Sequence, residues 1–221
     1  ICAARKRNKQ NTFIFFMDLK KAFDTVWHDG LMHKLHEAGV RGKIWRLIRN
    51  FCGGTRSMVS MDNKDGIPFW IQQGVAQGCP LSPILFSVYV NDLLVELESK
   101  GLGLSYQGKY AGCLAFADDF VGLAGSREEL QKIIEVCRDW TIKWKMQANM
   151  DLASKNPKSA TMVIRKGRPK EIHAPNLWGT TPIPQTTFYK YLGLIINDEL
   201  KWKDHIGKIR SKGNSKLGVL R

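Results

Sequence analysis

Tyr110 to Gly125 reads YAGCLAFADDFVGLAG. Two small, mostly apolar runs flank a bare pair of acids, Asp118 and Asp119. Each run alternates small and larger residues, as a half-buried strand does, and the acids stand where a hairpin turns. Adjacent carboxylates at such an apex repel one another and gain little from packing unless a cation sits over them. A divalent metal meets that need, because Mg²⁺ is typically held by one or two carboxylates plus substrate phosphates. A plain type I′ turn, in which Asp is common, accounts for the same two letters. The pair alone leaves both readings open.

Upstream, Phe13 to Asp24 reads FIFFMDLKKAFD. Phe13 to Met17 is an unbroken apolar run, consistent with a strand buried on both faces. It ends in Asp18, so a rigid element delivers a carboxylate at its tip, which is where metal ligands are well placed. A cap or turn residue is the competing explanation. Phe23-Asp24 repeats the apolar-then-acid pair five residues later. Residues 31–38 and 43–51 read as two helices broken near Gly39 and Gly42, with Leu31, Leu35, Ile44, Leu47, Ile48 and Phe51 facing inward. Their basic residues (Lys34, Arg41, Lys43, Arg46, Arg49) read first as a solvated face, with contact to a phosphate backbone as the functional alternative. A hairpin follows, turning at Asn63-Lys64-Asp65-Gly66.

Residues 74–94, GVAQGCPLSPILFSVYVNDLL, have two glycines and two prolines at the entry to a helix. Gly78 lets the backbone approach a ligand closely, and Gln77 offers an amide beside it. Ser82 reads as an N-cap with Pro83 at the first helical position. A stiff loop-to-helix junction is the simpler reading, and a platform under a flat or phosphate-bearing ligand the functional one. Further on, Ser126-Arg127-Glu128-Glu129 is a capping-box signature for a long helix. Residues 159–165 read as a strand, 166–169 as a turn and 171–178 as its partner strand. FYKYLGLII, residues 188–196, is aromatic and β-branched, hence one more strand. From Trp202 the pattern turns helical and basic: residues 190–221 hold eight Lys or Arg against three acids.

The whole chain carries 34 Lys plus Arg against 20 Asp plus Glu, a formal charge of +14 over 221 residues. Such an excess suits a polyanion, nucleic acid before a membrane surface. No apolar run is long enough to span a bilayer, and no signal peptide is visible. The five cysteines (Cys2, Cys52, Cys79, Cys113, Cys137) have neither CxxC nor zinc spacing, which fits reduced thiols in a cytoplasmic or nuclear protein. The first residue is Ile, so the chain is expected to be a piece of a longer protein.

Asp18 on a buried strand, a Gln-Gly-x-Pro turn entering a helix, and an Asp-Asp hairpin together suit phosphoryl transfer. Two metals about 3.5–4 Å apart need carboxylates from separate strands. From about Phe13 to its C-terminus the chain resembles the reverse transcriptase domain of non-LTR (LINE-like) retrotransposons. FxDLKKAFDTVxH is similar to that family's motif A, QGCPLSPILFxxYxNDL to motif B and FADD to motif C. The helix–NPKS–strand segment is similar to motif D and YKYLG to motif E.

The resemblance implies an α+β polymerase palm, an antiparallel sheet with helices on one face, fingers largely missing and the thumb just begun. It implies residues 1–12 as a basic remnant of fingers, 13–197 as the palm and 198–221 as the start of the thumb. Asp18 and Asp118 would be metal ligands, Asp119 would complete the motif, and the Leu19 carbonyl would reach the metal. The cofactor implied is Mg²⁺, two ions, with Mn²⁺ as an alternative. Phe23 would exclude a 2′-hydroxyl by clash, Gln77 and Gly78 would line the incoming dNTP, and Ala117 would sit against the primer end. Tyr191, Leu192 and Gly193 would form the primer grip, and the basic tail would lie on duplex phosphates. The motif D segment is longer than the family's usual Asn-x-x-Lys, so the general-acid lysine is Lys158 or Lys155. The partners implied are an RNA template, a DNA primer and dNTPs. A catalytically inactive nucleic-acid-binding fragment or domesticated remnant is the alternative function. A metal nuclease explains the acids but leaves Phe23, Gln77-Gly78 and Tyr191 without a role.

Overall fold

The computed structural model describes residues 1–62, 64–150, 157–165 and 174–219. Helix α1 (Cys2–Arg7) precedes strand β1 (Thr12–Asp18), followed by α2 (His28–Glu37) and α3 (Gly42–Gly53). Four two-residue strands form a bent hairpin: β2 (Arg56–Ser57), β3 (Ser60–Met61), β4 (Lys64–Asp65) and β5 (Phe69–Trp70). Helix α4 (Ser82–Ser99) leads to β6 (Ser105–Tyr106), β7 (Lys109–Tyr110), β8 (Cys113–Phe116) and β9 (Asp119–Ala124). Then come α5 (Arg127–Lys143), β10 (Ala160–Ile164), β11 (Leu177–Trp178), β12 (Thr181–Pro182), β13 (Phe188–Tyr191), β14 (Leu194–Asn197) and α6 (Lys203–Val219). The chain divides into two units, one of Ile1–Asp18, Leu97–Glu135 and Met150–Arg221, the other of Leu19–Glu96 and Val136–Asn149. The architecture is α+β, as the sequence predicts.

In the first unit a four-stranded antiparallel sheet runs in the order β10-β1-β9-β8. The apolar run Phe13–Met17 becomes an interior strand with every residue 5% exposed or less. Burying one such side chain is worth about 1.5–3 kcal/mol, so this strand is a large share of the unit's cohesion. On one face Ile14 and Phe16 join Val121, Leu123, Met162 and Ile164 in a core that Tyr189, Tyr191 and Ile196 partly cover. The two runs around the acids are not equivalent half-buried strands. Strand β9 is buried from Phe120 to Ala124, whereas β8 leaves Leu114 and Phe116 50% and 66% exposed. The reason is position: β8 is the sheet's edge and has one neighbour.

Several local predictions hold and several do not. Half of the capping box forms: the Glu129 N–H donates to Ser126 Oγ at 3.1 Å, while the Glu129 carboxylate accepts from the Gly125 and Gly103 N–H groups at 2.7 and 2.9 Å. In the basic N-terminal segment, Arg5 lies in α1 and donates to the Asn11 carbonyl at 2.9 Å. Residues 188–196 are not one strand but the hairpin β13–β14, turning at Leu192 and Gly193 with φ of 47° and 85°. Two left-handed residues are what a two-residue type I′ turn needs, and Gly193 adopts that conformation without strain. Of the expected turn and partner strand after β10, residues 166–173 lie outside the described residues, and β11 pairs with β12 rather than with β10. Asn63 lies outside them too.

In the second unit, Ile44, Leu47 and Phe51 of α3 are 64%, 70% and 40% exposed, against the expectation that they face inward. Only Ile48 and Cys52 of that helix are buried, one turn apart, so a single row of the apolar stripe is used. Ser82 is the first residue of α4 rather than its cap, and its hydroxyl donates to the Ala76 carbonyl at 2.6 Å. Lys34, read as exposed, is buried. Its Nζ lies 3.7 Å from the Trp144 ring centroid, 4.5 Å from that of Tyr89 and 4.9 Å from that of Trp140. It donates to Asp92 Oδ1 at 2.7 Å and to the Tyr89 carbonyl. Aromatic faces and a carboxylate replace the lost hydration of the ammonium. The five cysteines form no disulfide among the described residues, and no described helix is long and apolar enough to cross a membrane.

Burial nevertheless pulls the Lys34 pKa down from 10.5 to about 8, with Lys143 acting in the same direction and Asp92 and Glu37 against it. Between those two values the unfolded chain holds the proton and the folded chain has released it. The penalty for burying the charge is therefore complete below about pH 8 and is lifted as pH climbs toward 10.5. Chemical denaturation of the protein and of Lys34→Met between pH 7 and 10 should show the wild type gaining stability relative to the variant. Lys34→Ala at pH 7 should lose about 3–5 kcal/mol. A pH-independent difference would mean that Lys34 is not buried as a cation.

Candidate active site

Strand register builds the acid cluster of the first unit. Asp18, at the end of β1, stands opposite Asp119, the first residue of β9. On the other side Phe16 pairs with Ala160, so continuing that antiparallel register by two residues puts Lys158 opposite Asp18. Asp18 and Asp119 thus stand side by side on β1 and β9, with Lys158, two residues ahead of β10, next to Asp18. Lys158 Nζ lies 3.7 Å from Asp18 Oδ1, and the Asp18 N–H donates to Ser159 Oγ at 3.2 Å. The Asp18 side chain is 18% exposed, which leaves the carboxylate reachable from solvent.

Asp118 shares the β8–β9 turn with Ala117, since Phe116 pairs with Asp119 across a two-residue loop. Ala117 is left-handed at φ 52°, whereas Asp118 is not among the residues with positive φ. A Cβ-bearing residue in that region stores about 1–2 kcal/mol of backbone strain. The proton affinity of Asp119 is raised, first by burial and then by the charges of Asp118 and Asp18, with Lys158 opposing. Among the described residues no three His, Cys, Asp or Glu converge in a ready-made metal cluster. The carboxylates nevertheless suit a hard divalent cation. They are all-oxygen donors, their charges repel one another, and Mg²⁺ takes one or two carboxylates with the rest of its shell from water and phosphate.

A cavity of about 500 Å³ opens beside these carboxylates, bounded by Asp18, Asp119, Lys158, Tyr189, Lys190 and Lys208, with Leu192 and Gly193 also on its wall. Tyr189, Lys190 and Lys208 were not anticipated. Tyr189 stacks on Phe16 at 4.0 Å between ring centroids, donates its hydroxyl to the Lys158 carbonyl, and has its phenol pKa pushed up by burial, Asp18 and Asp119. The i, i+2 spacing of Tyr189 and Tyr191 was the available signal, because both tyrosines reach Phe16 from one side of β13. Lys208 was visible only as one of many basic residues in α6.

Leu19, Phe23, Gln77 and Gly78 belong to the second unit. Leu19 is buried and bridges Ala148. The Phe23 ring stacks on Phe86 of α4 at 4.9 Å, and the Phe23 carbonyl accepts from the Val75 N–H at 2.8 Å. The Gln77 amide donates to Asp24 Oδ1 at 2.8 Å. Gly78 has φ 84°, and a Cβ there would meet nothing within 4 Å, so the glycine is needed for its backbone angle and leaves open space above it. Phe23, Asp24 and Gln77 are therefore brought together. Lys155 lies outside the described residues.

The family model described as "Reverse transcriptase (RNA-dependent DNA polymerase)" matches residues 2–196. The RNA-directed DNA polymerase from mobile element jockey of Drosophila funebris is 26% identical over 204 residues, covering 91% of this chain and 21% of that protein. The Pol polyprotein from the type-2 retrotransposable element R2DM of Drosophila melanogaster is 30% identical over 193 residues, 84% of this chain and 18% of that one. The chain thus spans about a fifth of the length of the curated relatives it matches. Among solved structures, telomerase from Candida albicans with a fragment of telomeric RNA superposes with a TM-score of 0.61 at 14% identity, over 90% of this chain and 31% of that one. That likeness concerns the fold.

Tyr189 offers a test of how the hairpin is held to the sheet. Tyr189→Phe keeps the stack on Phe16 and should lose about 0.5–1.5 kcal/mol for the missing hydrogen bond. Tyr189→Ala should lose about 2–4 kcal/mol. Urea denaturation of the three proteins gives both numbers, and equal losses for the two variants would refute the stacking contribution.

Proposed function

The chain belongs to the reverse transcriptase (RNA-dependent DNA polymerase) family, and from that premise we propose that it is the palm of a non-LTR retrotransposon reverse transcriptase. In this reading it extends a DNA primer with dNTPs on an RNA template. Residues 1–12 are the end of the fingers, 13–197 the palm and 198–221 the beginning of the thumb. The observation that carries the proposal is the cluster of Asp18 and Asp119, paired on adjacent strands, with Lys158 just before β10 lying 3.7 Å from Asp18 and Asp118 in the turn beside them.

Asp18, Asp118 and Asp119, with the Leu19 carbonyl, would hold Mg²⁺ (two ions, or Mn²⁺ in its place). When bound, the metal supplies Lewis-acid activation of the primer 3′-oxygen and neutralises charge on the pyrophosphate. The bond that forms joins the 3′-oxygen, its proton given up to solvent, to the α-phosphorus, and the bond that breaks releases pyrophosphate. Lys158 gives that leaving group its proton. Phe23, braced by Phe86, limits the space at the sugar 2′-position, and Gln77 and Gly78 contact the nucleotide. Ala117 lies against the primer end. Tyr191, Leu192 and Gly193 support the primer strand, and the basic residues of α6 neutralise duplex phosphates.

Primer extension on an RNA template by the protein should fall by about 10³-fold or more in Asp18→Asn and in Asp118→Ala. Lys158→Ala should cost about 10²–10⁴-fold. Thermal melts should stay near wild type for all three. Undiminished extension by either aspartate variant would overturn the site assignment.

A further inference from the structure

Within the second unit the segment after β1 is fastened to the approach to α4 by a short ladder. The Gly74 N–H donates to the Val26 carbonyl and the Val75 N–H to the Phe23 carbonyl, both at 2.8 Å. Trp27 bridges Gln73, and His28 Nε2 lies 2.7 Å from the Gly74 carbonyl oxygen. Gly74 has φ 93°, and a Cβ there would come within 2.7 Å of the Asp24 carbonyl oxygen, so the two backbones touch. The ladder sets Asp24 beside Gln77, and both border a cleft of about 370 Å³.

From this arrangement we infer that Asp24 is a positioning residue: its carboxylate fixes the side-chain amide of Gln77 for a nucleoside triphosphate. The inference rests on the proposed contact of Gln77 with the nucleotide. The group that Gln77 turns toward Asp24 is its NH₂, which donates to Asp24 Oδ1 at 2.8 Å. The carbonyl oxygen of the same planar amide is thereby aimed away from Asp24. Without that bond the exposed Gln77 side chain has three rotatable torsions and must be ordered when the nucleotide arrives. Pre-ordering it lowers the entropy lost on binding and leaves the bond-making step unchanged. Phe23, the neighbouring residue, is held by its own stack on Phe86 and by the Val75 N–H. Loss of the Asp24 carboxylate should therefore affect nucleotide affinity without relaxing discrimination between deoxy and ribo sugars.

Asp24→Ala should raise the KM for dNTPs about three- to tenfold with a much smaller change in kcat, the loss expected for one hydrogen bond. Asp24→Asn keeps an acceptor oxygen in the same place and should restore KM to within about twofold. The ratio of dNTP to rNTP incorporation should be the same in all three proteins. An Asp24→Ala enzyme with unchanged KM, or an Asp24→Asn enzyme as impaired as Asp24→Ala, would overturn the inference. So would a loss confined to kcat, which is what general damage to the site produces. The side-chain amide resonances of Gln77, assigned with Gln77→Glu, give a readout independent of catalysis. They should move in Asp24→Ala and stay near their wild-type positions in Asp24→Asn. If they do not move in Asp24→Ala, the bond is absent, and that failure is separate from any failure of the polymerase reading.

Discussion

The first unit depends on β1 being held on both sides at one register. Five consecutive apolar residues need a neighbour along each edge, and β9 and β10 supply them. Because side chains alternate with a period of two, a slip of one residue would send Ile14 and Phe16 to the wrong face and separate Asp18 from Asp119. The hydrophobic pattern that stabilises the sheet is thus the same constraint that places two carboxylates side by side. Carboxylates lose stability by being so placed, and the core that forces them together offsets that loss.

The second unit solves a related problem with different chemistry. There a lone lysine is enclosed by three aromatic rings and answered by Asp92, which also accepts from the Trp140 N–H at 2.8 Å. A buried cation with so specific a set of partners ties α2 to α4 and to the second half of α5. The ladder between residues 23–28 and 73–77 is equally local, built from main-chain bonds and one close glycine contact. Each unit therefore has its own reason to be rigid where the candidate functional residues stand.

Much of this was legible in the sequence. Phe13–Met17 followed by Asp18 read as a buried strand with an acid at its tip, and Ser126 with Glu129 marked the start of α5. What was not legible depends on partners distant in the chain. Apolar spacing identified the stripe on α3 but not how little of it would be covered, so Ile44 and Leu47 were misplaced. Lys34 looked like any helical surface lysine, because the rings around it lie more than 50 residues away. The β13–β14 turn was missed because Leu192-Gly193 lacks the usual Asn-Gly spelling and a leucine rarely takes a positive φ. That miss also hid Tyr189, whose place over Phe16 exists only once the hairpin has formed. The sequence leaves the motif D lysine open between Lys158 and Lys155; Lys158 Nζ lies 3.7 Å from Asp18, and Lys155 lies outside the described residues.

Anomalous diffraction from crystals of the protein grown with Mn²⁺ tests the central claim most directly, since it locates the cation without requiring turnover. A peak at about 2.0–2.3 Å from carboxylate oxygens of Asp18 and of at least one of Asp118 and Asp119 is the result predicted here. Strong Mn²⁺ peaks elsewhere, with none at these carboxylates, would contradict the assignment of this group as the catalytic centre.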